Sequence, residues 1–199
     1  MGGPGSDTQA RETISIQRIA IIGAGLLGRG IASLCSGAGY SVVLEDVLPS
    51  KLRGAARQFD QSSEQESRET GDNQPRGLVE YAGSIEEAVR DADLVIDCVP
   101  DELESKLEIL SLLDRMAPPR TILATPTLAL SIADLASCIY RPERCLALQL
   151  PREILENGKF ARRSAVRIVH IAATLPEALD AVLGFWRALG FEATAEMER

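Results

Sequence analysis

One short segment constrains this chain more than any other. RIAIIG (18–23) is an apolar, β-branched run that ends in glycine, the signature of a buried strand. It runs into Gly23-Ala-Gly25-Leu26-Leu27-Gly28, a G-x-G-x-x-G spacing, and the residues from Leu26 to Ala38 then read as a helix. A glycine motif alone is a weak signal; one that closes a strand and opens a helix has the context a dinucleotide turn requires. Gly23 permits the tight turn, Gly25 lets backbone approach a pyrophosphate, and Gly28 lets helix and strand pack closely. The free amides at the helix start, those of Leu26 and Leu27 among them, lie at the positive end of the helix dipole and suit phosphates. Asp46 stands 18 positions beyond Gly28, at the end of the next strand, SVVLEDV (41–47). A carboxylate there accepts hydrogen bonds from ribose hydroxyls and repels a 2′-phosphate, so the expected cofactor is NAD rather than NADP. Glu45 is adjacent but points to the opposite face of the strand.

The rest of the chain keeps the same alternation. Ser50 opens a helix of about ten residues, followed by the most polar stretch, FDQSSEQESRETGDNQPRG (59–77), read as an exposed loop with helical fragments. A short strand near Leu78–Tyr81 precedes Ser84-Ile-Glu-Glu87, a capping box that starts a helix running to about Asp91. Strand DLVIDCV (93–99), helix Leu103–Met116, strand TILAT (121–125), a short helix Ser131–Ser137 and strand RCLALQL (144–150) follow. Strand AVRIVHIA (165–172), a helix at Glu177–Leu189 with Thr174 as its cap, and a short strand over Phe191–Ala195 complete the pattern. Strands and helices in alternation predict an α/β fold: a doubly wound, mostly parallel sheet, Rossmann-type, with helices on both faces. The expected organisation is a flexible leader at 1–17 and a single NAD-binding domain over 18–199.

Composition excludes several function classes. The formal charge is −8 and only 4% of residues are aromatic, which argues against nucleic acid. No apolar run approaches the roughly 18–20 residues of a membrane span. Four cysteines, Cys35, Cys98, Cys138 and Cys145, include no Cys-x-x-Cys pair, and His170 is the single histidine. A metal centre and a disulfide framework therefore have no support, and the expected setting is the cytoplasm, with the cysteines reduced.

These residues resemble the N-terminal NAD-binding domain of the L-3-hydroxyacyl-CoA dehydrogenase family. IAIIGAGLLGRGIA is similar to that family's opening strand and turn, DADLVIDCVPDELESK (91–106) to its fourth strand, and PPRTILAT, LSIADLA and RPERCLALQL to the segments that lead to its catalytic histidine. The resemblance implies that Asp46 binds the adenosine ribose, that Cys98, Val99 and Asp101 line the nicotinamide ribose, and that Lys106 contacts cofactor and substrate. Read without the resemblance, Lys106 is a solvated charge on a helix face.

The departures bear on catalysis. Where the family has Leu-His-Phe-Phe-Asn-Pro, this chain has Leu148-Gln149-Leu150-Pro151-Arg152, so Gln149 takes the histidine's position. An amide has no titratable group near neutral pH and cannot act as a general base. The family's Ser-Asn-Thr substrate segment is Thr125-Pro126-Thr127 here, which keeps a hydroxyl at Thr125 but loses the Asn amide. For the glutamate that orients the family's histidine, the nearest match places His170 in Arg167-Ile-Val-His170, with Glu156 as an alternative. His170 is either a histidine of the sheet or a relocated base. The family also inserts a helical hairpin where 59–77 stands and continues into a C-terminal helical domain about where Arg199 falls. The resemblance thus leads to two main readings, beside a third in which the chain is a structural or interaction domain that has lost the cofactor too. One is an NAD(H)-binding protein without the family's catalysis, a sensor or partner subunit. The other is an active NAD-dependent oxidoreductase on a 3-hydroxyacyl-CoA or related hydroxy acid, completed by a partner chain or a second copy. The catalytic candidates for the second are His170, Lys106 and Thr125.

Overall fold

A computed structural model describes residues 14–70, 76–161 and 163–198. Its strands are β1 (Arg18–Ile22), β2 (Ser41–Glu45), β3 (Val79–Ala82), β4 (Leu94–Asp97), β5 (Ile122–Pro126), β6 (Cys145–Gln149), β7 (Ala165–His170) and β8 (Glu192–Met197). They form one sheet in the order β3-β2-β1-β4-β5-β6-β7-β8. β1 through β6 are parallel to their neighbours, β7 runs antiparallel to β6, and β8 is parallel to β7. From β1 the chain winds first toward β2 and β3, then returns to lay β4 on the other side. That reversal leaves a crevice above the carboxyl ends of β1 and β4, where ligands of such sheets bind.

Alternation along each strand builds two cores. Ile19, Ile21, Leu44 and Ile96 face α1 (Leu26–Gly37) and α7 (Pro176–Ala188), meeting Ile31, Cys35, Val182 and Trp186. Ala20, Ile22, Val43 and Val95 face the other way, toward α3 (Ile85–Val89), α4 (Leu103–Met116) and α5 (Ile132–Ala136), meeting Val89, Leu110, Leu113 and Leu135. A sheet covered on both faces needs apolar strands, and β1, β2 and β4 meet this except at their ends, where Arg18, Ser41, Glu45 and Asp97 stand. The expected N-cap stands: Ser84 Oγ accepts from the Glu87 amide at 3.3 Å, the first half of the capping box.

Several expectations need correction. Helix α2 spans Pro49–Thr70, 22 residues, so much of the stretch read as a loop at 59–77 is helical; residues 71–75 lie outside the described residues. Between Ala55 and Thr70 there is no Gly or Pro, and Gln, Glu, Arg and Ala sustain a helix whether or not one side is apolar. The helix opens on Pro49, with its φ already set, so Ser50 sits inside the first turn. Residues 14–17, expected to belong to a flexible leader, include positions packed on the domain. Ile16 is buried, and the amides of Gln17 and Arg18 both donate to Asp93 Oδ2 at 3.0 Å; the rest of the leader expected over 1–17 lies outside the described residues. Thr174 does not cap α7: its hydroxyl accepts from the Ile171 amide at 3.1 Å, and Leu175 holds the cap position.

One helix was not anticipated. α6 (Arg152–Asn157) follows β6 and ends at Gly158, whose φ is +64°. A Cβ on Gly158 would lie 2.2 Å from the Leu26 carbonyl oxygen, and one on Gly30 would lie 2.0 Å from the Gly158 oxygen. The end of α6 is therefore pressed backbone to backbone against α1, just behind the glycine turn.

Candidate cofactor site

The crevice at the reversal is a cleft of ≈ 640 Å³. Its walls come from three loops that sequence reading singled out: Gly23, Gly25, Leu26 and Leu27 after β1, Asp46 after β2, and Cys98, Val99 and Asp101 after β4. Thr127 and Leu128 close the β5 side, and Leu155 of α6 reaches the same cleft. Gly28 lies beneath the turn. A Cβ there would stand 1.9 Å from the Gly23 carbonyl oxygen, so this position fits glycine alone. At Gly25 a Cβ would meet nothing within 4 Å among the described residues, which leaves the open space that a pyrophosphate needs beside the backbone.

Asp46 is only 5% exposed, yet its carboxylate is well supplied with donors. Oδ2 accepts from the Ala24 amide at 2.9 Å and pairs with Lys51 Nζ at 3.3 Å, and Oδ1 accepts from the Leu48 amide at 2.9 Å. Three donors on about four lone-pair directions leave capacity for a ribose hydroxyl. The same bonds pin the glycine turn to the end of β2. Across the cleft, Asp101 Oδ2 accepts from the Leu128 amide at 3.1 Å and ties the β4 loop to the β5 loop. Burial pushes the Cys98 thiol up, and Asp97 beside it adds to the effect, so it faces the cleft as a neutral thiol. A turn open at Gly25, a pinned carboxylate at Asp46 and apolar walls fit a dinucleotide.

Two expected residues do not reach this cleft. Lys106 is fully buried, with its ammonium 3.0 Å from Asp97 Oδ2. Thr125 is buried as well, and its hydroxyl donates to the same Asp97 oxygen at 2.9 Å. The Val99 amide donates to Asp97 Oδ1 at 2.9 Å. Lys106 and Thr125 thus brace the cleft wall through Asp97, which sequence reading passed over because an acid inside a strand gives no sign of its partners.

His170 is far from the chemistry. Gln149 stands opposite Arg167, and because β7 is antiparallel to β6, His170 lies three residues further toward the amino end of β6. Its Nδ1 is 3.0 Å from the Ile171 carbonyl oxygen. The structure does not bring it together with Gln149, which closes β6 beside Leu148, whose carbonyl accepts from the Thr127 amide at 3.1 Å. Glu156, the other candidate, is in α6 and pairs with Arg152 at 3.9 Å. The residue that sequence reading sets aside is Glu45: it lines the cleft next to Asp46, is 2% exposed, and its Oε1 has no hydrogen-bond partner among the described residues.

Comparison with known proteins gives a consistent result. The model of the 3-hydroxyacyl-CoA dehydrogenase NAD binding domain matches residues 18–151. A probable 3-hydroxybutyryl-CoA dehydrogenase of Bacillus subtilis (strain 168) is 33% identical over 140 residues, 68% of this chain and 48% of that protein. The mitochondrial hydroxyacyl-coenzyme A dehydrogenase of Sus scrofa is 28% identical over 187 residues, 89% of this chain and 58% of that protein. The solved 3-hydroxybutyryl-CoA dehydrogenase of Escherichia coli K12 superposes with a TM-score of 0.79 over 92% of this chain and 38% of that one; at 23% identity this is a likeness of fold. The chain spans about half the length of the curated relatives it matches.

Proposed function

This chain belongs to the 3-hydroxyacyl-CoA dehydrogenase family through its NAD-binding domain, and from that premise we propose that it binds NAD(H) without performing the family's histidine-dependent reaction, as a cofactor sensor or the cofactor-binding partner of another chain. Its cofactor is NAD. When bound, NAD supplies a hydride acceptor or donor at the nicotinamide ring. The observation that carries the reading is Gln149 at the end of β6, with His170 at the other end of the neighbouring strand. Gln149 can orient a hydroxyl or carbonyl by hydrogen bonds but cannot take its proton. Loss of a general base typically costs 10²–10⁴ in rate. Lys106 does not stand in for it, because its ammonium is held in the buried pair with Asp97.

What the chain's residues do is bind and orient. The glycine turn receives the phosphates, Asp46 takes a ribose hydroxyl, and the Asp101–Leu128 bond sets the spacing of the two loops between which the nicotinamide half lies. The partner role draws on the cleft's rim, where Leu26 is 57% exposed, Val47 78% and Leu128 44%. Apolar side chains gathered at a cleft mouth mark a surface that a ligand or another protein covers. An acyl-CoA is the substrate class for an enzyme completed in that way.

Calorimetric titration of the purified chain with NADH, and with NADPH as comparator, tests the binding half. Micromolar NADH affinity, much weakened for NADPH, is expected. Incubation with NAD⁺ and 3-hydroxybutyryl-CoA tests the other half, with no NADH formed above background expected. Turnover by the chain alone would overturn the non-catalytic reading while leaving the cofactor assignment in place.

A further inference from the structure

We propose that Glu45 is the residue that reads the base of the bound dinucleotide, with Oε1 accepting a hydrogen bond from the exocyclic amine of adenine. The inference rests on NAD as the cofactor and concerns a side chain that no dinucleotide motif includes. Glu45 is the last residue of β2, level with Ile22 of β1 and Ala82 of β3. Asp46, the next residue, turns to the glycine loop, while Glu45 turns to the α3 and α4 side of the sheet. Both line the same cleft, so the carboxylate that takes the adenosine ribose and the carboxyl of Glu45 face one half of the ligand.

The surroundings of Glu45 are those of a flat, apolar ring rather than of an ion. Ile22, Ile85, Val99 and Ile109 line the cleft with it. The other charged side chains on the cleft are Asp46, Lys51 from α2 and Asp101 from the β4 loop. Lys51 pairs with Asp46, and Asp101 is bonded to the Leu128 amide, which leaves Glu45 with no cation among the described residues. Burying a carboxyl oxygen without a partner is costly, because its lost hydration is not replaced. A fold that meets this cost at the wall of a ligand cleft keeps an acceptor ready for a donor on the ligand. Adenine carries one such donor, its exocyclic amine, and apolar walls suit its faces. Burial, with Asp46 adding to it, raises the Glu45 carboxyl to about 7. Below that value the acid form also has a proton to donate; above it the side chain can only accept.

The test compares NADH with its hypoxanthine analogue, reduced nicotinamide hypoxanthine dinucleotide, in which a carbonyl oxygen replaces the amine. Titrations at pH 8 use the whole chain as wild type, Glu45→Gln and Glu45→Val. Wild type should prefer NADH by about tenfold, since at pH 8 the carboxylate meets an acceptor in the analogue. Glu45→Val should bind both within about twofold. Glu45→Gln should narrow the preference or reverse it, because an amide can turn its N–H₂ to the carbonyl; a merely structural role would not do this. An NADH preference that is the same in wild type and Glu45→Val overturns the inference with the cofactor assignment intact. Failure of wild type to bind either dinucleotide overturns both.

Discussion

Lys106 Nζ lies 3.0 Å from Asp97 Oδ2, and the two side chains are 1% and 0% exposed. The pair joins the end of β4 to the first turn of α4, and Thr125 Oγ1 and the Val99 amide complete the bonding of Asp97. Removing one member of a buried pair leaves an uncompensated charge, typically costing about 3–5 kcal/mol. Asp97→Ala or Lys106→Met should therefore lower the unfolding free energy by about that much in urea titrations. Asp97→Leu combined with Lys106→Met should recover at least half of the loss. A single variant within about 1 kcal/mol of wild type would show that the pair does not brace the cleft.

The two ends of the glycine turn should respond in opposite ways to the same change. Gly28→Ala places a methyl where only 1.9 Å separates it from the Gly23 oxygen, so the turn must open and stability must fall. Gly25→Ala meets no protein atom within 4 Å, so the melting temperature should hold while NADH affinity drops at least tenfold. Equal NADH affinity in Gly25→Ala and wild type would mean that no phosphate approaches this backbone.

Glu198 sits at the end of β8, yet it serves α5. Its carboxylate accepts from Ser131 Oγ at 3.0 Å and from the amides of Ile132 and Ala133 at 3.2 and 2.7 Å. Amides at a helix start have no partner within the helix, and capping them is worth about 0.5–2 kcal/mol. Glu198→Ala should cost that much and speed amide exchange at Ile132 and Ala133. Unchanged exchange there would show that the cap is not held in solution.

What the sequence made legible follows from how local each signal is. The β1–α1 turn, Asp46 and the Ser84 cap each depend on residues within one strand–turn–helix unit, and all three stand where expected. Lys106 misled because its partner is set by how α4 folds back over β4, which no periodicity encodes. His170 misled for a related reason: an apolar strand shows its face but not its direction, and the antiparallel return of β7 moved the ring to the far end of β6. α2 runs well past the ten residues its sequence pattern predicts because good helix formers continue it without an apolar period to mark them. α6 is a six-residue helix without a strong apolar period, fixed by the Gly158 contact with α1.

His170→Ala gives a direct check on that geometry. The ring touches its own neighbour's carbonyl, at the end of the strand away from the cleft. NADH affinity should stay within about twofold of wild type. A tenfold loss would place the ring in the site after all.

The stability of the chain should also carry the mark of Glu45. Its carboxyl is raised to about 7 in the folded state by burial, with Asp46 adding to the effect, whereas an unfolded glutamate titrates near ~4.3. Between those values the folded chain holds a proton that the unfolded chain has released, so the slope of unfolding free energy against pH is negative there. The contribution is complete below the unfolded value and is lost as pH rises through about 7. At about 1.4 kcal/mol per unit, its size is on the order of 4 kcal/mol. Glu45→Gln keeps the shape of the side chain and removes the titration. Urea unfolding of both proteins at intervals from pH 5 to pH 8 should show wild type losing stability relative to Glu45→Gln as pH rises. Curves that run parallel across the window would mean that Glu45 is ionised throughout, and that the buried oxygen finds a partner in solution.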